Sequence, residues 1–337
     1  MAFAVSTDGG QTFQSRIIFA PGIDPDPTHP TNFVQFTNPV VDPSNGRLYI
    51  PFARFSNGDT DFIQMLVSDD AGQTFHFVNF NRPGTSNPTL LPLVQPGTFE
   101  DCGSPGGGFR VAIVQGNDVG GGRFGLPRFV NSTRLAVQPA LAVSNGNVFL
   151  TYNSSDSPFF GDAASGSNIL LIVSHDGGRS WSQPRQLNPN VANDIRHVHP
   201  AIALQGEEGD EQVNISYYTQ HASGSVDLDL VTAKSDDEEL EVDDPIRVTS
   251  QSFNLPPTNI PVPVLGQKFR TQNYDRNVVA CYALGEYNGL FNNHGKLYAV
   301  WGDDRNRVTE PVNVLDPLSG LTHPQEDTFF QKVRPED

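Results

Sequence analysis

Polar residues that directly precede a proline recur along this chain at the start of apolar stretches. The clearest examples are Asn38-Pro39, Gln138-Pro139 and His199-Pro200, each followed by Val or Ala, and Glu286 occupies a neighbouring position in a later stretch. If these stretches are equivalent strands of a repeated fold, their first residues converge, as a ligand site requires. The alternative is that these side chains only hydrate a central channel, because an alignment of repeats fixes position and not purpose.

Several carboxylates could also take part in chemistry. Asp59 and Asp61 lie in a stretch that is typical of a loop, where burial could raise a pKa enough for a general acid. The alternative for this stretch is an acidic turn that holds a cation. Asp303 and Asp304 could bind Ca²⁺ through their oxygens, or pair with Arg305, which is the interpretation we favour.

Three near-copies of one octapeptide indicate which elements position these residues. The copies begin at Ser6, Ser68 and Ser174 and share the pattern Ser-x-Asp-x-Gly-x-Thr/Ser-aromatic. The Asp can accept backbone N–H groups of its own turn, the Gly permits a positive φ, and the aromatic ring can be buried between sheets. Each octapeptide therefore predicts a tight hairpin between two strands.

The spacing of the octapeptides predicts an array of β-modules. Asp8 and Asp70 are 62 residues apart, Asp176 follows after a further 106, and a decayed copy places Asp237 another 61 residues on. A period of roughly 40 to 60 residues is typical of propellers. The predicted units are the following: the fragment 1–19, three units that begin near Asn38, Gln138 and His199, the stretch 81–130, which has the length of one unit, and a last unit at about 265–337.

The octapeptide pattern resembles the Asp-box (BNR) repeat of the sialidase superfamily. The resemblance implies an all-β fold, a six-bladed β-propeller with four-stranded antiparallel blades, over a single domain of residues 1–337. The first blade of that domain could lack its N-terminal part, and the ring would close between the two termini. In the superfamily this repeat is structural and lies away from the active-site face. The resemblance also suggests an extracellular or cell-surface protein, although this chain carries no recognisable targeting segment.

The resemblance extends to candidate catalytic residues. In the superfamily a Tyr polarised by a Glu is the nucleophile, an Asp is the acid/base, and three Arg side chains hold the substrate carboxylate. The strand and loop before the second octapeptide resemble a family element, which implies that Arg54 contacts substrate and that Asp59 or Asp61 is the acid/base. Tyr287 resembles the nucleophile. Glu286 is adjacent to it, but side chains alternate along a strand, so the base for Tyr287 is expected from another blade.

One departure from the family pattern concerns the substrate carboxylate. Thr37 stands where the family has the Arg of an Arg-Ile-Pro sequence, and the loss of a bidentate contact argues against ordinary sialidase activity. Arg196, Arg270 and Arg276 could supply other contacts, although no motif assigns them. A glycoside-hydrolase-like protein acting on glycans is narrowly favoured. The alternatives are a non-catalytic propeller that binds glycan or protein through the same face, and a structural surface or assembly protein.

Composition narrows the range of partners. The chain has 337 residues, of which 37% are hydrophobic, and its net charge of −17 argues against binding nucleic acid. No apolar run approaches the roughly 18 residues of a membrane-spanning helix. The resemblance to the sialidase superfamily implies a glycan or glycoconjugate as the partner. Cys102 and Cys281 fit one disulfide or two buried thiols equally well. His197 and His199 on one side of a strand do not define a metal site by themselves, so we expect no cofactor except Ca²⁺ at an acidic site.

Overall fold

The structure is a computed structural model, and it describes most of the chain outside several connecting segments. The described residues are 1–20, 32–35, 37–56, 61–80, 91–93, 98–99, 113–114, 117–118, 127–128, 138–155, 167–189, 195–206, 211–235, 240–254, 288–309 and 322–334. They form strands, turns and bends, and none of them lies in a helix. Accordingly, no membrane-spanning helix is found among them.

The N-terminal part forms a hairpin and one antiparallel sheet. The hairpin pairs β1 (Ala2–Val5) with β2 (Gln14–Ile17). Sheet A consists of β3 (Asn32–Gln35), β4 (Val40–Val41), β5 (Leu48–Ser56), β6 (Asp61–Ser68), β7 (His76–Phe77) and β8 (Leu91–Leu93). Four short strands follow it, and they are β9 (Thr98–Phe99), β10 (Ile113–Val114), β11 (Asn117–Asp118) and β12 (Pro127–Arg128). Strand β9 pairs with β12, and β10 pairs with β11.

Three further antiparallel sheets follow along the chain. Sheet B consists of β13 (Ala140–Ser144), β14 (Asn147–Ser155), β15 (Ser167–Ser174) and β16 (Arg185–Gln186). Sheet C consists of β17 (Arg196–Gln205), β18 (Gln212–Gln220), β19 (Ser225–Ser235), β20 (Leu240–Val242), β21 (Ile246–Arg247) and β22 (Phe253–Asn254). Sheet D consists of β23 (Gly289–Asn293), β24 (Lys296–Thr309) and β25 (Thr322–Val333). A single parallel pair, Ser167 with Arg196, joins sheet B to sheet C. The predicted strands in these units are therefore confirmed.

The sheets stack face to face because successive side chains of each strand point to opposite faces. In β14, Val148 and Leu150 belong to the buried cluster shared with sheet A, whereas Phe149 belongs to the cluster shared with sheet C. Sheet C packs against sheet D through a third buried cluster. The hairpin packs on the remaining face of sheet A through Met1 and Phe3.

Two of the sheets are in direct contact. Tyr49 of sheet A and Leu150 of sheet B belong to one buried cluster, and the Tyr49 hydroxyl donates to the Gly177 carbonyl of sheet B at 3.4 Å. Sheets A and B are therefore direct neighbours. The unit predicted at 81–130 lies mostly outside the described residues.

The outer faces of the stack remain exposed. On sheet D the outward side chains Phe291 and Phe330 are 44% and 61% exposed, and on the hairpin Phe13 and Ile17 are 66% and 69% exposed. The hydrogen-bonded sheets of the described residues do not close into a ring. The predicted closure between the termini is therefore not observed among them.

The three octapeptides share one set of hydrogen bonds. Asp70 accepts from the Ser68 hydroxyl at 2.8 Å, from the Thr74 backbone N–H at 2.8 Å and from the Thr74 hydroxyl at 2.6 Å. Asp8 and Asp176 accept from the equivalent groups at nearly the same distances. The hydrogen bond from the Thr74 hydroxyl is the main reason why the pKa of Asp70 falls to about 2. The predicted role of the Asp is therefore confirmed.

The Gly of each octapeptide also behaves as predicted, but the aromatic residue does so only in part. Gly10, Gly72 and Gly178 have φ values of 86°, 82° and 88°. Trp181 packs on Phe80 of the preceding sheet with ring centroids 5.3 Å apart. The expectation of a buried ring is wrong for Phe13, which is 66% exposed because no described sheet covers this side of the hairpin.

Candidate functional site

Segments from four sheets surround one cavity of about 210 Å³. The walls come from the residues at or just before the starts of β4, β13 and β23, and from the middle of β17. The described lining residues are Thr37, Asn38, Gln138, Pro139, Ala140, Pro200, Ala201, Ile202, Asn288, Gly289 and Leu290. Two of the predicted site residues, Asn38 and Gln138, are therefore brought together, whereas Glu286 lies outside the described residues.

His199 does not line this cavity, because the chain bulges at this point. The pairing of β17 with β18 is regular up to Val198 and resumes at Ala201, and His199 has a φ of 52°. The bulge turns the His199 side chain inwards, where it is 1% exposed and where burial lowers its pKa to about 4. Its carbonyl accepts a hydrogen bond from the Asn288 side-chain NH₂ at 3.0 Å. Pro200 takes the place at the cavity that we predicted for His199.

The described lining of the cavity is uncharged. It combines the hydroxyl of Thr37 and the amides of Asn38, Gln138 and Asn288 with proline and aliphatic side chains. Gln138 is almost fully buried, whereas Thr37 and Asn38 are exposed. The position where the family pattern has an Arg is thus occupied by a hydroxyl group at the cavity wall. Such a mixture can hold a small ligand that has both hydroxyl groups and apolar C–H faces.

A buried chain of hydrogen bonds links three neighbouring strands of sheet C, which are β17, β18 and β19. The Thr219 hydroxyl donates to Asp229 Oδ2 at 2.5 Å, and His197 Nδ1 lies 3.0 Å from the same hydroxyl oxygen. Because the single Thr219 proton is directed to Asp229, His197 Nδ1 must be the donor, and Nε2 then carries the lone pair. Burial lowers the pKa of His197 to about 4, so the ring is neutral near pH 7.

Two carboxylates in this part of sheet C have opposite pKa shifts. Burial raises the pKa of Asp229 to about 6. Burial also acts to raise the pKa of Asp227, but hydrogen bonds from His221 at 2.9 Å, Thr249 at 2.9 Å and Ser252 at 3.1 Å outweigh it and lower that pKa. The sequence reasoning missed this network. The available signal was the spacing of Asp227 and Asp229, which places both side chains on one face of a strand.

Asp303 of the acidic pair Asp303-Asp304 forms an ion pair with Arg305, as expected. Arg305 donates to Asp303 Oδ2 at 2.5 Å, and the Trp301 indole N–H donates to the same oxygen at 3.1 Å. Asp303 has no exposed surface, and the Arg305 guanidinium lies 4.5 Å from the centroid of the Phe329 ring. Among the described residues, no group of three or more His, Cys, Asp or Glu could hold a metal ion.

The other predicted catalytic and binding residues are only partly described. Arg54 lies near the end of β5, and Asp61 begins β6, so both lie at the end of sheet A where the cavity is. Arg196 begins β17 and is buried. Asp59, Arg270, Arg276, Glu286 and Tyr287 lie outside the described residues.

The chain is similar to solved structures of several glycan-acting proteins. The NanB sialidase from Streptococcus pneumoniae shares 12% identity over 99% of this chain and 36% of that chain, with a TM-score of 0.45. A Trypanosoma rangeli sialidase shares 11% identity over 98% of this chain and 37% of that chain, with a TM-score of 0.41. An alpha-L-arabinanase from Penicillium chrysogenum, complexed with arabinobiose, shares 14% identity over 98% of this chain and 84% of that chain, with a TM-score of 0.38.

The chain thus spans little more than a third of the length of the two sialidase chains. No protein-family model matches it, and no curated protein matches it. With TM-scores below 0.5, these similarities carry no argument about function, which has to come from the site itself.

Proposed function

We propose that the chain is a sialidase-like six-bladed β-propeller with four-stranded antiparallel blades that binds a glycan at one mouth of its central channel. Two observations support this architecture. The three octapeptides make the same hydrogen bonds, and β13 to β16 form a four-stranded meander in which consecutive strands pair antiparallel. Export from the cell is part of the proposal and depends on the sequence resemblance.

The observation that carries the binding function is the cavity of about 210 Å³ where four sheets meet. Amides from two of these sheets, Asn38 and Gln138, face a space that Pro139 and Pro200 also line. Sugar rings present hydroxyl groups at their edges and C–H groups on their faces, and this lining offers a partner for each.

Hydrolysis at the same mouth is the second candidate function. It is favoured by the positions of Arg54 and Asp61 at the cavity end of sheet A, where Arg54 of β5 pairs with Phe62, the residue that follows Asp61 on β6. In this proposal Asp59 or Asp61 is the acid/base, Tyr287 is the nucleophile, and Arg54, Arg196, Arg270 and Arg276 are the candidate substrate contacts.

Glycan binding can be tested on a glycan array, followed by titration of any bound saccharide. We expect Asn38→Ala and Gln138→Ala each to weaken binding about tenfold, the effect of one lost hydrogen bond to a ligand. Gln14→Ala is the matched control, because Gln14 is an exposed strand amide on the N-terminal hairpin. Binding of no glycan, or equal weakening by Gln14→Ala, would contradict the proposal, provided that thermal melting shows all variants to be folded.

Hydrolysis can be tested with fluorogenic glycosides, sialosides included. Turnover by the wild type that is abolished in Tyr287→Phe would establish a hydrolase with a Tyr nucleophile. Glycan binding without turnover would instead leave a non-catalytic propeller.

A further inference from the structure

We propose that Asn145 is a site of spontaneous deamidation in the folded protein, and that its modification weakens the contact between sheets A and B. The proposal is independent of glycan binding at the cavity. Asn145 lies in a Ser-Asn-Gly sequence, and the same sequence occurs around Asn45. Because these two sites share their local sequence, a difference between them in the folded protein comes from their surroundings. A third copy, at Asn57, lies outside the described residues.

Deamidation of an Asn-Gly pair is an intramolecular reaction that consumes only water. The deprotonated backbone nitrogen of the glycine attacks Cγ of the asparagine, a C–N bond closes a succinimide ring, and the side-chain nitrogen leaves as ammonia. Water then opens the ring at either carbonyl, which gives aspartate or isoaspartate. Glycine favours the attack because it has no Cβ to hinder the approach. The rate in a folded protein therefore depends on how freely the side-chain amide and the glycine nitrogen can move.

Three hydrogen bonds hold the Asn45-Gly46 pair in place. The Asn45 Oδ1 accepts from the Arg47 backbone N–H at 2.8 Å, and the Asn45 NH₂ donates to Asp42 Oδ2 at 3.0 Å. The Gly46 N–H donates to the Asp42 carbonyl at 2.8 Å. Both ends of the amide and the attacking nitrogen are thus engaged, and these bonds must break before the ring can close.

The Asn145 side chain is held much less, although both asparagines are exposed. Its NH₂ makes one long contact, at 3.4 Å, with the Ser144 hydroxyl, and its Oδ1 accepts no hydrogen bond from a described residue. The Gly146 N–H donates to Asp42 Oδ2 at 2.8 Å. This charge-assisted bond is the main restraint on the reaction at Asn145, and the amide itself is free to turn towards the glycine nitrogen.

A modification at Asn145 also has structural consequences. The Gly146 N–H binds Asp42 of sheet A, and the Gly146 carbonyl accepts from the Gly177 N–H of the third octapeptide at 2.9 Å. Isoaspartate inserts an extra carbon atom into the backbone directly before Gly146. Either product also adds a negative charge next to the N–H group that the Asp42 carboxylate binds. We therefore expect the modified turn to lose part of its contact with sheet A.

Peptide mapping by mass spectrometry measures Asn45 and Asn145 in one sample. The full chain is incubated at mildly alkaline pH, with and without concentrated guanidinium chloride. In the unfolded chain the two sites should react at similar rates, because their local sequences match. In the folded chain we expect Asn145 to react at least about tenfold faster than Asn45, since one or two more hydrogen bonds protect Asn45. Equal rates in the folded chain, or an unmodified Asn145 when the unfolded sample has fully reacted, would overturn the proposal.

Asn145→Gly and Asn45→Gly are matched variants for the structural consequence. Glycine at position 145 tolerates the φ of 48° found there and removes the reactive amide. After incubation, the wild type and Asn45→Gly should unfold at a lower urea concentration than fresh samples, whereas Asn145→Gly should change less. Any contribution from Asn57 is common to all three proteins. A wild type that carries modified Asn145 but keeps its urea midpoint would refute the proposed effect on the sheet contact.

Discussion

The glycines of the octapeptides allow one backbone position to be compared in three different surroundings. Gly10, Gly72 and Gly178 have nearly the same φ, so replacement by Ala costs each of them a similar backbone strain, about 1–2 kcal/mol. A Cβ at Gly10 would meet no atom within 4 Å, whereas at Gly178 it would meet Trp181 at an ordinary 3.5 Å. At Gly72 it would lie 2.5 Å from the Phe3 ring, which must therefore move.

The displacement of Phe3 determines the expected ranking. Phe3 packs edge-on against Phe75 at 5.2 Å and belongs to the cluster that attaches the hairpin to sheet A. Overpacking of this kind typically costs about 1–3 kcal/mol. Adding the backbone strain, we expect Gly72→Ala to lower the free energy of unfolding by about 2–5 kcal/mol and Gly178→Ala by about 1–2 kcal/mol.

Urea denaturation measures these free energies, provided that the slope of unfolding is unchanged among the variants. Limited proteolysis at Arg16 gives a second readout, because release of Phe3 should expose the hairpin in Gly72→Ala more than in Gly10→Ala. If Gly72→Ala and Gly178→Ala destabilise the protein equally, the reasoning from the Phe3 contact is refuted.

Two further predictions concern buried carboxylates. Asp303→Ala should lower the free energy of unfolding by about 3–5 kcal/mol, because it leaves the Arg305 guanidinium without its anion. The Arg305 side chain is only 12% exposed, so water cannot replace that anion fully. An unchanged urea midpoint would contradict this prediction. Asp229, with its pKa raised to about 6, favours folding most below pH 4, and this contribution is lost as the pH rises through 6. Asp229→Asn should therefore gain about 2 kcal/mol relative to the wild type between pH 4 and pH 7. Asp227→Asn, which replaces a carboxylate of lowered pKa, should differ from the wild type by a nearly constant amount over this range, because the contribution of Asp227 is lost only as the pH falls below about 4. Parallel pH slopes for the two variants would contradict this assignment.

The local signals in the sequence were sufficient for the strands and turns. The octapeptides specify their own hydrogen bonds within eight residues, so Asp8, Asp70 and Asp176 could be assigned from the pattern alone, and the structure confirms them. The strands between them follow from alternating apolar residues bounded by turns such as Asn145-Gly146, where both residues have positive φ. Strands and turns of this kind depend on residues that are close together in the sequence, so they can be predicted from it.

Features that depend on the packing of distant segments could not be predicted in this way. The sequence shows a polar residue before Pro200 but not the bulge that turns His199 inwards and leaves Pro200 at the cavity. Likewise, the hydrogen bond from Thr219 to Asp229 depends on the register of β18 and β19, which cannot be determined from the sequence alone. The direct contact of sheets A and B through Tyr49 and Leu150 likewise depends on distant segments.

The direction of the strands keeps the most recognisable motif apart from the candidate site. In sheet B, the cavity lies where β13 begins at Ala140, next to Thr151 of β14, whereas the octapeptide follows the end of β15 at Ser174, next to Val148. Three residues of a strand separate these two levels by about 10 Å. The octapeptide end also carries the contact to the neighbouring sheet, since the Gly146 N–H donates to Asp42 of sheet A at 2.8 Å. The octapeptides therefore stabilise the contact between sheets at one end, and the cavity of the proposed function lies at the opposite end.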